Sequence, residues 1–240
     1  MTDSALDVRV DPAIHARHPD YIALVLVASG LGGGPSDEGS EAALASAEEH
    51  LRTSGLVKAT DHPHIAAWRA AFSAFGAKPS KYPSSAEALM SRVLKGQPLP
   101  RVNALVDLYN AVSVRHVVPV GGEDADRLDG ALRLSVTAGG EPFDPRGDGN
   151  EVERLQAGEV VWRDDVGVTC RRWNWRQGRR TQLREYTTTA LFILDALHPM
   201  TDEALDAAAD DLADRLARLG PDVTIARRLI AAAPTPHEGN

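Results

Sequence analysis

The sequence predicts an α+β fold, a single domain in which a mixed or antiparallel sheet is flanked by helices. Three observations predict it. Residues 21–29, YIALVLVAS, form a continuous apolar run rich in β-formers, as a buried strand does. Residues 190–197, ALFILDAL, repeat that character, and each run is followed by a turn and a helix rich in alanine and acid. Between the two, helical stripes precede short alternating segments, the order of an α+β chain. The likeness of the two runs suggests paired strand–helix units on one sheet.

The elements follow in order. Residues 30–35 break the chain after the first strand, and residues 36–53 read as a helix. Asp61 and Pro63 mark the next helix start, since proline suits a first helical turn. That helix places Ile65, Trp68, Phe72 and Phe75 on one stripe and stops at Gly76. Residues 78–83 form a loop. Ser84 and Glu87 have the spacing of a capping box, opening a helix to about Lys95 with Gly96 as its stop. Pro98 and Pro100 punctuate the chain, and Asn103 caps a helix over NALVDLYNAVSVRHV. Residues 131–137 alternate as a half-buried strand. Residues 159–163 and 166–171 form a hairpin turning at Asp164-Asp165, and residues 202–219 form the last helix. Residues 15–220 are expected as the domain, with 1–14 an N-terminal extension and 221–240 a tail that frays after Pro234.

Composition excludes several classes. The chain has 240 residues, a formal charge of −8 and one cysteine, Cys170, so it holds no internal disulfide. It lacks an apolar run of about 18 residues, the minimum for a membrane helix. The N-terminus MTDSALDVRV has neither the basic start nor the apolar run of a signal peptide, so a cytoplasmic location is expected. An acidic total argues against a general salt-driven nucleic-acid binder but leaves room for a local basic surface.

Few motifs carry chemistry. GLGGG at 30–34 follows a strand and precedes a helix, but Pro35 breaks the dinucleotide spacing and no Gly-Lys-Ser/Thr follows, so it reads as a flexible connector. His62 and His64 lack further ligands at metal-site spacing and read as surface histidines, so no metal or cofactor is expected. A Gly-x-Ser-x-Gly elbow is absent. Asn110 sits inside the apolar helix VDLYNAVSV, where its amide must be bonded, either to a neighbouring backbone or to a ligand.

The oddest stretch is CRRWNWRQGRRTQ, residues 170–182, with five arginines around Trp173 and Trp175 in an acidic chain. It reads either as an exposed hairpin of arginines stacked on tryptophans or as a surface for phosphates and a base. Strand alternation would put Arg172, Asn174 and Arg176 on one face and Arg171, Trp173 and Trp175 on the other.

Several segments together resemble the B3/B4 domain, otherwise found in the β subunit of bacterial phenylalanyl-tRNA synthetase. They are AWRAAFSAFGAKPSKYPSSAEALMSRVLKGQPLP, VNALVDLYNAVSV, GGEDADRLDGALRLSVTAGGEPF, GEVVWRDDVGVTCRRWNWRQGRRTQL and YTTTALFILDAL, covering roughly residues 15–220. The resemblance implies a single B3/B4-like domain. In the synthetase that domain hydrolyses tyrosine mistakenly attached to phenylalanine tRNA. For this chain it implies an aminoacyl-tRNA deacylase acting in trans, with the aminoacylated 3′ end of tRNA as partner and neither DNA nor membrane. Asn110 matches a synthetase asparagine, and Gly121 stands where synthetases place a histidine. A synthetase threonine matches at Thr187 or Thr188. The arginine–tryptophan segment differs from its glycine-rich counterpart.

The roles implied are Asn110 for the substrate amine or carbonyl, Gly121 for close backbone approach, and Asp124 either for the α-ammonium or as the cap of the next turn. Arg172 and Arg176 would meet the tRNA end, Trp173 or Trp175 would pack the adenosine or shape the pocket, Asn174 would bind substrate or tRNA, and Thr187 would complete the amino-acid recess. Rival readings are a non-catalytic amino-acid- or tRNA-binding module and a hydrolase of a small amino-acid derivative.

Overall fold

The structure, a computed structural model, describes residues 7–146 and 149–232. In chain order the first half holds β1 (Val8–Val10), α1 (Pro12–Arg17), β2 (Ile22–Ser29), α2 (Glu38–Thr53), α3 (Pro63–Ala74), α4 (Ser85–Leu94) and α5 (Ala104–His116). The second holds β3 (Val120–Asp124), β4 (Leu132–Val136), β5 (Pro142–Phe143), β6 (Glu153–Arg154), β7 (Val160–Arg163), β8 (Val168–Arg171), β9 (Arg176–Gln177), β10 (Thr189–Ala196), α6 (Asp202–Ala217) and β11 (Thr224–Ala231).

The two apolar runs become neighbours. β2 and β10 pair antiparallel from Ser29 opposite Thr189 to Ile22 opposite Ala196. They are apolar at nearly every position because both faces of their sheet are covered. That sheet has the order β11-β2-β10-β3 and is antiparallel throughout. One face, carrying Leu24, Leu26, Phe192 and Leu194, packs against α2, α5 and α6 through Leu44, Leu108 and Leu212. The other, carrying Ala23, Val25, Leu191 and Ile193, packs against Leu132, Leu134 and Trp162 of a second sheet and Trp68 and Phe72 of α3. The second sheet runs β1-β4-β7-β8-β9 and is mixed, since β1 is parallel to β4. The architecture is therefore α+β: helices, an antiparallel sheet, then a mixed sheet.

Local chemistry sets the helix starts. Asp37 caps α2, its Oδ1 accepting from the Ser40 amide at 2.7 Å while Ser40 Oγ accepts from the Asp37 amide. α3 begins just past Asp61, which lies in a short 3-10 turn; His62 Nδ1 accepts from the His64 amide instead. Only half of the capping box expected on α4 forms. Ser84 Oγ accepts from the Glu87 amide, but the Glu87 carboxylate takes Arg69 at 2.5 Å rather than turning back. Asn103 caps α5 through the Val106 amide at 3.0 Å.

Three expectations change. The 172–175 stretch does not alternate as a strand. Arg172 and Trp173 adopt left-handed φ of 46° and 64° in a tight turn between β8 and β9, so side-chain directions follow the turn. The glycine connector after β2 is a packed crossing. A Cβ at Gly33 would stand 2.2 Å from the Glu185 carbonyl oxygen, and Gly30, at φ 74°, faces the Asp222 carbonyl oxygen at 2.5 Å. The segments expected as extension and tail contribute β1 and β11, because each finds an open strand edge on β4 or β2. The fraying expected after Pro234 falls outside the described residues.

Candidate functional site

A cavity of about 280 Å³ opens where β3 ends the antiparallel sheet. Its walls come from the start of α4, from α5, from β7 and β8, from the 172–175 turn, and from β3 and β10. Sheet register places the last two. Gly121 lies opposite Ile193, and paired residues share a face, so Gly121, Glu123, Ile193 and Asp195 look the same way. All four line the cavity. A Cβ on Gly121 would meet nothing within 4 Å, so its absence leaves open space.

Two buried carboxylates define the chemistry. Glu123 accepts from the Gln177 amide at 2.7 Å, and the same amide nitrogen reaches the Gly122 carbonyl at 2.6 Å. Burial raises the Glu123 pKa to about 7, against the hydrogen bonds that lower it. Asp195 accepts from the Tyr21 hydroxyl at 2.6 Å and from the Asn174 amide at 3.2 Å. Burial raises it too to about 7. Burial also pushes the Tyr109 phenol and the Cys170 thiol up, so both stay protonated at neutral pH. Among the described residues no lysine, arginine or histidine lines the cavity.

Polar atoms without partners surround these acids. Ser85 Oγ, Trp162 Nε1 and Asn174 Oδ1 are buried and make no hydrogen bond among the described residues, and all three residues line the cavity. Such groups are rare in a native interior, because each lost hydrogen bond is costly. Asn110 is 8% exposed, lines the cavity, and its amide bonds no described residue. Its helix is pinned one turn earlier by Asp107, which accepts from Ser36 Oγ at 2.5 Å and the Val102 amide at 2.9 Å.

The residues expected from sequence divide. Asn110, Gly121, Trp173, Asn174 and Trp175 come together at the cavity. Trp173 is fully buried, edge-on to Trp68 at 5.2 Å and Tyr21 at 4.9 Å, so it is a wall and not a surface on which a base can stack. Asp124 and Thr187 lie elsewhere. Thr187 Oγ1 donates to Asp124 at 2.8 Å, and Asp124 also accepts from the Asp126 amide, capping the next turn. Arg172 is committed to structure. Its guanidinium lies 3.8 Å over the Tyr82 ring and 4.6 Å over Trp175, with Glu159 at 3.5 Å. The Arg176 side chain points outward and is 47% exposed.

Glu123, Asp195 and Gln177 did not stand out in the sequence. Asp195 carried a readable signal, being the lone acid in the apolar run ALFILDAL, the same signal that marks Asn110. Glu123 stands two residues beyond Gly121, so strand period alone puts it on the same face. Gln177 carried none. His62 and His64, with ring centroids 4.7 Å apart, are half-buried and held low in pKa, first by burial. Among the described residues no three His, Cys, Asp or Glu side chains are grouped to hold a metal, and no helix is long and apolar enough to cross a membrane.

Comparisons with known proteins give the family of the chain. Among solved structures, an N-terminal fragment of the phenylalanyl-tRNA synthetase β-subunit from Pyrococcus horikoshii is similar at a TM-score of 0.49 and 12% identity. The likeness covers 94% of this chain and 51% of that one, so this chain spans about half its length. No curated protein matches. The B3/4 domain family matches residues 67–221, more than half of the chain and every residue that lines the cavity, and the chain belongs to that family.

Proposed function

We propose that this protein is an aminoacyl-tRNA deacylase acting in trans, which hydrolyses the ester of mischarged tRNA in the cavity beside β3, in the cytoplasm. The observation that carries the reading is the cavity's lining: two buried acids, unpartnered polar atoms and no cation. An aminoacyl ester brings a positive α-ammonium and a polar carbonyl, which such a lining complements. A volume of about 280 Å³ suits an amino-acid-sized group; pockets for drug-sized ligands run to about 300–1,000 Å³.

Roles follow from position. Asn174 Oδ1 and Asp195 receive the ammonium. The Asn110 amide donates to the ester carbonyl oxygen, where negative charge develops during attack. Glu123, held by Gln177, takes a proton from water as the water oxygen bonds the carbonyl carbon. The tetrahedral intermediate then expels the ribose oxygen, which takes that proton back. A base with a pKa near the working pH is well matched to both transfers. Gly121 leaves room for the amino-acid side chain. Asp124 and Thr187 brace the 184–188 segment against β3, and Trp175 with Arg172 closes the cavity's outer side.

The test is deacylation of a panel of labelled aminoacyl-tRNAs, correctly and wrongly charged, with and without chelator. Selective release from a mischarged tRNA supports the proposal. Release that the chelator stops replaces the carboxylate mechanism with a metal one. A folded protein that releases nothing overturns it. Gly121, standing where the synthetases have a histidine, favours one second reading: a module that binds an aminoacyl group without cleaving it. That reading predicts a ligand-dependent melting shift with no turnover.

A further inference from the structure

The arginines of residues 171–184 fall into two groups. Arg171 is bound by Glu159 at 2.9 Å and by Glu153; Arg172 is stacked and paired; Arg180 is bound by Asp164 at 2.6 Å. Arg179 and Arg184 have no carboxylate partner among the described residues, and Arg176 has only Glu153 at 3.9 Å. Arg179 is exposed, and Arg184 donates to the Tyr186 hydroxyl at 3.0 Å, an interaction that leaves its charge uncompensated.

These free arginines line a continuous groove. Two adjoining depressions of about 710 and 570 Å³ share Arg146, Arg179 and Gln182. Arg176 lies in the first and Arg184 with Tyr186 in the second. Among the described residues that line either, Glu185 is the only acid. Tyr186 is 61% exposed. Gln177 lines both the first depression and the cavity, so the groove leads to the candidate active site. On a protein of charge −8, Arg179 and Arg184 without a carboxylate partner, and Arg176 with only a distant one, mark a path for an anion, while Arg146 is paired with Glu151 at 3.0 Å.

We propose that this groove, and not the Arg172–Trp173 turn, seats the unpaired 3′ strand of an RNA, whose terminal nucleotide presents its ester to the cavity. This rests on the deacylase reading for its direction but on the groove's own chemistry for its occupant. Guanidinium forks match phosphate oxygens. An exposed tyrosine offers a ring on which any base stacks. The amides of Gln177 and Gln182 offer donors and acceptors to ribose and base edges.

The experiment measures binding of a fluorescent 12-nucleotide single-stranded RNA ending in CCA, across a salt series, using the full chain. Arg179→Ala with Arg184→Ala is expected to weaken binding at least tenfold, and to flatten the log–log salt slope by roughly 1.4, at about 0.7 per lost phosphate contact. Tyr186→Ala is expected to weaken it about threefold, from lost stacking. A control with equal charge change at exposed sites remote from the groove, Arg17→Ala with Lys95→Ala, should stay within about twofold. Arg179→Glu repeats the test without touching the Arg184–Tyr186 bond. Unchanged affinity and slope in the groove variants, an equal loss in the control, or equally tight binding of a glutamate-rich peptide would each overturn the groove.

A catalytic arm separates this proposal from the previous one. The groove variants should lose turnover of aminoacyl-tRNA through KM while hydrolysing an aminoacyl-adenosine as the unsubstituted protein does. Full turnover of aminoacyl-tRNA by those variants sinks the groove and leaves the deacylase. Arginine-dependent RNA binding with no turnover of any ester sinks the deacylase and leaves the groove.

Discussion

The cavity and the groove beside it meet at Gln177 yet handle charge in opposite ways. Inside, Glu123 and Asp195 are buried with no cation among the described residues that line the cavity, and burial raises the pKa of each to about 7. Outside, Arg176, Arg179 and Arg184 keep their charge in water, where an unpaired charge costs little. A buried charge must be paired or neutralised; a solvated one is free to recruit a partner. The pair of regions therefore suits a ligand with a cationic head and an anionic stem. Arginine density in a sequence says little about available charge, since Arg171, Arg172 and Arg180 are already spent on carboxylates.

The contrast can be broken from the inside first. Glu123→Gln is expected to lower deacylation by about 10²–10⁴-fold, the usual weight of a general base. The unsubstituted protein should gain rate with pH up to about 7 and then level off, as Glu123 ionises. A flat pH–rate profile, or a Gln variant of full activity, removes Glu123 from the chemistry. Asn110→Ala should cost about 10²–10³-fold, as loss of an oxyanion donor does. It should leave the melting temperature almost unchanged, because the Asn110 amide holds nothing within the fold. Normal turnover by that variant would exclude Asn110 from the site.

Smaller effects sharpen the same comparison. Gly121→Ala should fold normally, its new methyl standing in open space, while turnover of the largest aminoacyl groups falls by about tenfold from lost volume. Titration of stability probes the buried acid directly. The folded pKa of Glu123 lies above its ordinary 4.5, so the protonated form favours folding. That contribution is complete below pH 4.5 and is lost as pH rises through about 7. Glu123→Gln never ionises, so denaturant melts should find the variant more stable than the parent above pH 7, by about 3 kcal/mol, and not at pH 4. Equal curves at both pH values would mean the carboxylate is solvated. On the outer side, Arg172→Ala should destabilise by about 1 kcal/mol, losing stacking on Tyr82 and Trp175. Arg179→Ala should stay within about 0.5 kcal/mol. Equal losses would erase the division between structural and free arginines.

Much of the fold was legible because its cues are local. The runs at 21–29 and 190–197, the caps at Ser84 and Asn103, and the turn near Asp164 each carry their signal within a few residues. β1, β3 and β11 were not legible, since three, five or eight residues with little pattern become strands only when an open edge receives them. In the candidate site, Asn110 was legible as a polar residue in an apolar helix, but the contact of Glu123 with Gln177 depends on two sheets meeting, β3 in one and β9 in the other.

By itself, then, the sequence determined the α+β class, most element positions, the family resemblance and the presence of an unusual arginine–tryptophan segment. Periodicity, capping and composition act over one or two turns of chain, so they survive without tertiary context. Only the tertiary structure decided which arginines remain free, that Trp173 is core, that Asp124 and Thr187 brace each other, and that Glu123 faces Asp195's side of the sheet. Those outcomes depend on left-handed turn angles at Arg172 and Trp173, and on which carboxylate reaches which guanidinium. Such choices are set by the packing of segments dozens of residues apart, where no local pattern records them.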